Sequence, residues 1–262
     1  MGSTLVFDLE TIPDAAAGRR CWGFPDHLSD LEVRQGMLAK QRAQSGDEFL
    51  RHPFHQVVCI SCALSTPQEL RVWSIGDTDS TELDIIQRFF QGIRKYKPTL
   101  VSWNGTGFDL PVLHYRALFH GISAPEYWER GESDPQFKWD NYLGRYHYRH
   151  RDLMDILSGY QARASAKLDE IATLCGFPGK MDMNGAGVLA AYEAGEIQSI
   201  RDYCETDVLN TYLIYLRFEK MRGKLSEAGY LSTYEKLVQY LTMEDKPHFK
   251  EFREKCHNPV SL

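Results

Sequence analysis

The sequence predicts an α/β fold, a mixed β-sheet flanked by helices within a single domain spanning residues 1–262. Three observations predict it. A β-rich apolar run opens the chain, two further β-rich runs are joined by a Pro-containing turn, and amphipathic helical segments bracket one more short strand before helices take over. A hairpin that extends a strand also paired with later crossover strands makes the sheet part antiparallel and part parallel.

Each element has its own local reason. Residues 3–8 read as the first strand, and a long polar excursion follows. Within it Ser29 to Ala43 has helical spacing and a Ser start. VVCISCALS and ELRVWSI form the hairpin. Thr81 to Tyr96 opens with acids and closes with bases, which matches the helix macrodipole. TLVSW is a short buried strand, and Leu110 to His120 resumes helix with Pro111 tolerated in the first turn. RDLMDIL reads as a strand-to-helix cap around Asp152 and Asp155. Helices are expected from about Ala166 to Cys175, Gly187 to Ala194 and Ile197 to Lys220. The remainder, 221–262, reads as a helical C-terminal extension whose tail from Ser232 is helical and then loose.

Composition narrows the function classes. With 43% hydrophobic and 25% charged residues the chain has an ordinary globular core. No apolar run approaches the ~20 residues of a membrane-spanning helix, and no basic and apolar leader opens the chain, so a cytoplasmic protein is expected. A net charge of −6 argues against a broad electrostatic nucleic-acid binder. It does not argue against acids gathered around metal ions, which invert the local charge. Cys59 and Cys62 form a CxxC, but in a strand that spacing puts them on opposite faces and no partner pair follows. Reduced thiols are therefore expected.

The stretch LVFDLET places Asp8 and Glu10 two residues apart, hence on one face of an apolar strand. Desolvating two like charges costs several kcal/mol unless a cation fills the gap. NGTGFDLPVL puts Asp109 after a strand and a Gly-rich loop, at the mouth of a helix. Taken alone, Asp109 reads as a helix N-cap. In YCETDVLNTY, Tyr203 and Asp207 stand four apart and share a helical face. Taken alone, they read as a buried Tyr and a solvated Asp. Together, four carboxylates sit at strand ends or on a helix able to cover that edge. Carboxylates are hard oxygen ligands suited to Mg²⁺ or Mn²⁺. Four of them can hold two ions roughly 4 Å apart, the arrangement that stabilises an in-line phosphoryl displacement.

FDLET, NGTGFDLPVL and YCETD resemble the three motifs of the DEDD superfamily of 3′–5′ exonucleases, tyrosine (DEDDy) subtype. The likeness is greatest to bacterial stand-alone proteins related to the proofreading domain of family B DNA polymerases. It runs in order from about residue 4 to residue 220, and no His stands between Gln198 and Asp207 as the histidine subtype would require. The resemblance implies a ribonuclease H-like fold and two-metal hydrolysis, with Mg²⁺ or Mn²⁺, that releases nucleoside monophosphates from a 3′ end. It also implies roles. Asp8 would be shared by both ions, and Glu10 would ligate one ion near the terminal 3′-hydroxyl. Asp109 would act mainly through water on the second ion, and Asp207 would bind the ion that carries the nucleophile. Tyr203 would orient the attacking water, its phenol being a poor base at neutral pH.

KWDNYLGRYHYRHR interleaves Lys138, Arg145, Arg149 and Arg151 with Trp139, Tyr142, Tyr146 and Tyr148. Bases stack on aromatics while cations follow phosphates, which grips single strands without sequence readout. The same pattern also suits a half-exposed loop with packed tyrosines. Nucleic-acid contacts are expected from Asn104, Phe108, Lys138, Arg145, Tyr146 and Arg149. The expected substrate is the 3′ end of single-stranded DNA or RNA, DNA favoured, although no residue can be assigned to a 2′-hydroxyl. A separate polymerase or repair protein stays open as a partner. Two other functions stay open: a catalytically weak nucleic-acid-binding or assembly module on the same fold, and a ribonuclease H-type endonuclease.

Overall fold

In the computed structural model, which describes residues 2–179, 181 and 185–256, strand β1 (Thr4–Pro13) is the axis of the molecule. After it come helices α1 (Ala15–Trp22) and α2 (Asp30–Ser45), then the hairpin of β2 (His55–Ser65) and β3 (Leu70–Ser74). Helix α3 (Glu82–Tyr96), strand β4 (Thr99–Ser102), helix α4 (Asp109–His120) and a single turn, α5 (Pro125–Trp128), complete the first half. The second half holds β5 (His150–Asp152) and helices α6 (Leu153–Leu157), α7 (Leu168–Leu174) and α8 (Val188–Glu193). It closes with α9 (Ile197–Met221), α10 (Glu227–Glu244) and α11 (Pro247–Lys255).

The sheet order is β3-β2-β1-β4-β5. β2 runs antiparallel to β1 and β3, whereas β4 is parallel to both β1 and β5. This is the expected mixed sheet flanked by helices. Alternation along β1 sorts its side chains between two cores. Leu5, Phe7 and Leu9 pack with Ile85, Phe89, Leu110 and Leu113 of α3 and α4. Val6 packs with Val208 and Leu209 of α9, and Ile12 with Val188 and Cys204. Asp8 and Glu10 fall between Val6 and Ile12 in the same alternation, so they are turned toward α9.

Several boundaries differ from the sequence expectation. β1 continues to Pro13, with an irregularity in its pairing to β2 between Glu10 and Thr11. α1 is an addition; Asp14 caps it by accepting from the Ala17 amide. α10 begins at Glu227, because Ser226 caps it by accepting from the Gly229 amide. The loose tail is corrected as far as Lys255: Pro247 opens α11, and Phe249 and Phe252 are buried against the α9 and α10 core. Residues 257–262 lie outside the described ones.

One buried ion cluster ties the end of β1 to the helices behind it. Arg116 donates through Nη1 to Asp14 Oδ2 at 2.6 Å and through Nε to Glu82 Oε1 at 2.8 Å. Glu82 Oε1 also accepts the Val57 amide at 2.7 Å. Removing the cation would take the guanidinium from two buried carboxylates, leaving Glu82 with His120 and the Val57 amide and Asp14 with the Ala17 amide. Arg116→Met is therefore expected to cost about 3–5 kcal/mol, read as a lower denaturant midpoint in urea unfolding. A change within experimental error would show that the cluster contributes nothing net.

Candidate active site

Four acids meet where β1, the start of α4 and the middle of α9 converge. One ligand atom from each of Asp8, Glu10 and Cys204 lies within 4.8 Å of the others. Cys204 Sγ is 3.5 Å from the Asp8 carbonyl oxygen and 3.6 Å from Asp8 Oδ2. Burial first, then Asp109 and Asp207, holds the Asp8 carboxyl well above the usual carboxylate range. Glu10 is raised likewise, by burial and then by Asp8 and Asp207. Burial also pushes Asp109 up to about 7, although backbone hydrogen bonding at Asp109 and Leu9 opposes it. Burial next to like charges is the electrostatic state of carboxylates that want a cation.

Tyr203 completes the group. Its phenol hydrogen-bonds the Asp207 side chain, and burial, Asp207 and Glu10 all push its ionisation upward. The phenol therefore keeps its proton at neutral pH and serves as a donor. The helical spacing that placed Tyr203 and Asp207 on one face is realised in α9.

Asp109 does not take the N-cap role. It is the first residue of α4, and Phe108 occupies the cap with no side-chain bond to the helix. The loop before it is held from below by Asp152, whose two carboxylate oxygens accept the Asn104 amide at 2.9 Å and the Thr106 amide at 2.8 Å. Asp152 also caps α6 by accepting from Met154 and Asp155, as RDLMDIL suggested. Gly105 leaves no room for a side chain, and Gly107 leaves room only if Asn104 moves. A Cβ on Gly105 would stand 2.2 Å from Ser102 Oγ, and one on Gly107 would stand 2.4 Å from Asn104 Oδ1.

Phe108 belongs to an aromatic cluster beside the acids. Its ring lies 5.5 Å from Phe49, 6.0 Å from His52 and 5.1 Å from His55. His52 Nε2 is 2.8 Å from the Gly107 carbonyl oxygen. Phe49 is 56% exposed. Asn104 and Phe108 are thus next to Asp109. Phe49, His52 and Cys204 were missed in the sequence; of these only Cys204 left a signal, by standing inside YCETD.

Two residues of the basic aromatic loop, Tyr142 and Arg149, are held away from the acids. Tyr142 donates to the Pro98 carbonyl at 2.7 Å, just before β4, whereas the acids follow the other end of the paired strands. Arg149 donates to the Asp140 carbonyl at 2.6 Å and lies 3.8 Å over the Phe137 ring. Arg145 pairs with Asp155 of α6 at 3.1 Å, and Tyr146 packs on Tyr160. Lys138 and Trp139 are exposed. The structure does not bring Tyr142 or Arg149 to the acids. Cys59 hydrogen-bonds Cys204 on the α9 side of the sheet, whereas Cys62 packs in the opposite core.

The residues fit divalent ions on their own evidence. The four acids offer hard oxygen ligands beside the Cys204 thiol, they raise one another, and the buried Asp109 Oδ1 has no hydrogen-bond partner among the described residues. Residues 47–256, which include Asp109, Tyr203 and Asp207, match the family described as a predicted 3′–5′ exonuclease related to the exonuclease domain of PolB. The chain belongs to that family. Asp8 and Glu10 precede the matched segment, and their place at the site rests on the geometry of β1.

Family B polymerase relatives extend the comparison. The chain is 26% identical over 144 residues to the catalytic chain of DNA polymerase epsilon from Schizosaccharomyces pombe, covering 52% of this chain and 6% of that protein. It is 26% identical over 151 residues to the corresponding polymerase epsilon chain of Saccharomyces cerevisiae, covering 53% and 6%. A DNA polymerase of Pyrococcus glycovorans is 27% identical over 193 residues, 69% of this chain and 24% of that one. The solved family B DNA polymerase of the archaeon Pyrobaculum calidifontis gives a TM-score of 0.49 at 18% identity, covering 81% of this chain and 24% of that one. The chain thus matches only a small part of each polymerase. Among the described residues no helix is long and apolar enough to cross a membrane.

Proposed function

We propose that the protein is a DEDDy-type, metal-dependent 3′–5′ exonuclease that removes nucleoside monophosphates one at a time from single-stranded nucleic acid, DNA in preference to RNA. The observation that carries this reading is the meeting of Asp8, Glu10, Asp109 and Asp207 with a protonated Tyr203 hydrogen-bonded to the last of them. Asp8, Glu10, Asp109 and Asp207 would hold two ions, Mg²⁺ or Mn²⁺, which when bound supply positive charge to the attacking and leaving oxygens.

The chain's own residues do the positioning. Tyr203, whose proton is held on Asp207, keeps its phenolic oxygen where it orients the incoming water; it does not need to abstract a proton. Phe108, supported by Phe49 and His52, presents an aromatic face on which a terminal base can stack. The Asn104–Phe108 loop, pinned by Asp152, keeps that face at a fixed distance from Asp109. A polymerase acting as a separate partner fits the relatives, in which the matching segment is part of a longer polymerase chain.

The test uses 5′-labelled single-stranded DNA and RNA with Mn²⁺. A ladder shortening by single nucleotides from the 3′ end is the expected result, and internal cuts would point to the endonuclease instead. Tyr203→Phe removes one donor, worth ~1.5–3 kcal/mol, so turnover should fall roughly ten- to a hundredfold while the metal requirement stays. Wild-type rates in that variant would place Tyr203 in the core and outside the chemistry.

A further inference from the structure

Between Tyr203 and Asp207, on the opposite side of α9, stands a carboxylate the mechanism does not use. Glu205 is 2% exposed, and three donors from two other elements converge on it. Ser74 Oγ of β3 donates to Oε1 at 3.0 Å. Lys246 Nζ at 2.9 Å and His248 Nε2 at 2.8 Å both meet Oε2, from the residue before α11 and from α11 itself. One turn earlier, Arg201 donates to the carbonyls of Ser74 at 3.1 Å and Gly76 at 2.7 Å. α9 is therefore clamped from both sides at the turn that carries the site.

The clamp also reaches Asp8 through the sheet. Ser74 Oγ is 2.9 Å from Ser61 Oγ, which is 3.5 Å from Cys59 Sγ. Cys59 hydrogen-bonds Cys204, whose sulfur lies 3.6 Å from Asp8 Oδ2. An unbroken line of buried polar side chains thus joins α11 to the acid on β1. Hydrogen-bonded chains of this kind in a low-dielectric interior fix one arrangement of the elements they join. A buried carboxylate inside the Tyr203–Asp207 turn is costly, and a hydrophobic residue would pack there without partners.

We propose that Glu205 is a positioning residue, which through Ser74, Lys246 and His248 sets the rotation of α9 and hence the placement of the Tyr203 phenol. The C-terminal helix α11 is thereby part of the catalytic unit. This rests on the exonuclease reading above. It is separable from a merely structural anchor, because an anchor affects folding whereas a positioning residue affects kcat through Tyr203.

The experiment measures kcat and KM for wild type, Glu205→Gln, Tyr203→Phe and the double variant on labelled single-stranded DNA with Mn²⁺. Circular dichroism serves as the fold control. Glu205→Gln should lower kcat roughly ten- to a hundredfold, the scale of an ångström-sized misplacement, with KM little changed. In the Tyr203→Phe background the same change should cost far less, because both act on one hydrogen bond. Losses that simply multiply, or a wild-type kcat, overturn the proposal. Should Glu205→Gln fail to fold, Lys246→Met takes its place in the same cycle, and Lys246→Arg should recover most of the lost rate. A wild-type chain that releases no nucleotide would remove the exonuclease reading and this role with it. An active wild type with an unaffected Glu205→Gln removes this role alone.

Discussion

Asp8→Ala and Asp207→Ala should each stop nucleotide release while the protein stays folded. Each change deletes a carboxylate proposed to ligate an ion, and losing the charge stabilisation an ion supplies is worth several kcal/mol of barrier. About 4 kcal/mol corresponds to roughly a thousandfold in rate, so turnover should drop at least that far. Single-turnover assays with excess enzyme would measure it, and residual rates near wild type in either variant would remove the site. The same acids carry a stability signature without metal. A carboxyl whose pKa is raised on folding binds its proton more tightly in the folded state, so its charge costs nothing below the ordinary range near ~4. The cost grows as pH rises and is complete above the folded value, about 7 for Asp109. Asp109→Asn should therefore raise the thermal midpoint in EDTA at about pH 8 and change it little at about pH 4.5. Asp8→Asn should behave in the same direction, since its carboxyl is raised by burial and by Asp109 and Asp207. Calorimetry showing a lower midpoint at the higher pH would contradict the clustering of charged acids.

Removing divalent ions should abolish activity altogether. In excess EDTA no nucleotide should be released, and Mn²⁺ or Mg²⁺ should restore the full rate. The binding itself is measurable without turnover. An ion held only by the folded state at a hundred times its dissociation constant adds about 2.7 kcal/mol of stability. Mn²⁺ should thus raise the thermal midpoint of the wild type, and much less that of Asp8→Ala. Hydrolysis that persists in EDTA would mean the acids serve another purpose.

How much was legible beforehand depends on the range of the physics involved. α3 was readable nearly to the residue, because Ile85, Ile86, Phe89, Phe90 and Ile93 repeat at helical spacing and are buried. The hairpin was readable from two β-rich runs and the Pro-containing turn between them. α1 was not, since AAAGRRCW has little pattern of its own. Its place comes from α2, against which Gly18 packs so closely that a Cβ there would stand 2.8 Å from Val33. β5 has three residues, too few to show any period. The helical tail was legible, but α11 was lost because its anchors, Phe249 and Phe252, bury against residues far away in the chain.

The sequence by itself determined which side chains share a face. The two-residue step of Asp8 and Glu10 and the four-residue step of Tyr203 and Asp207 are properties of a strand and a helix, and they hold wherever those elements go. Only the tertiary structure decided that Asp8, Asp109 and Asp207 meet. It also decided that Asp109 forgoes the cap role while Asp152 pins its loop, and that Arg149 lies at the other end of the paired strands. The reason is physical. Face and period follow from backbone geometry within a few residues, whereas the meeting of elements about a hundred residues apart follows from burying two cores on one sheet. That balance is summed over many weak contacts, and no local window of the chain contains it.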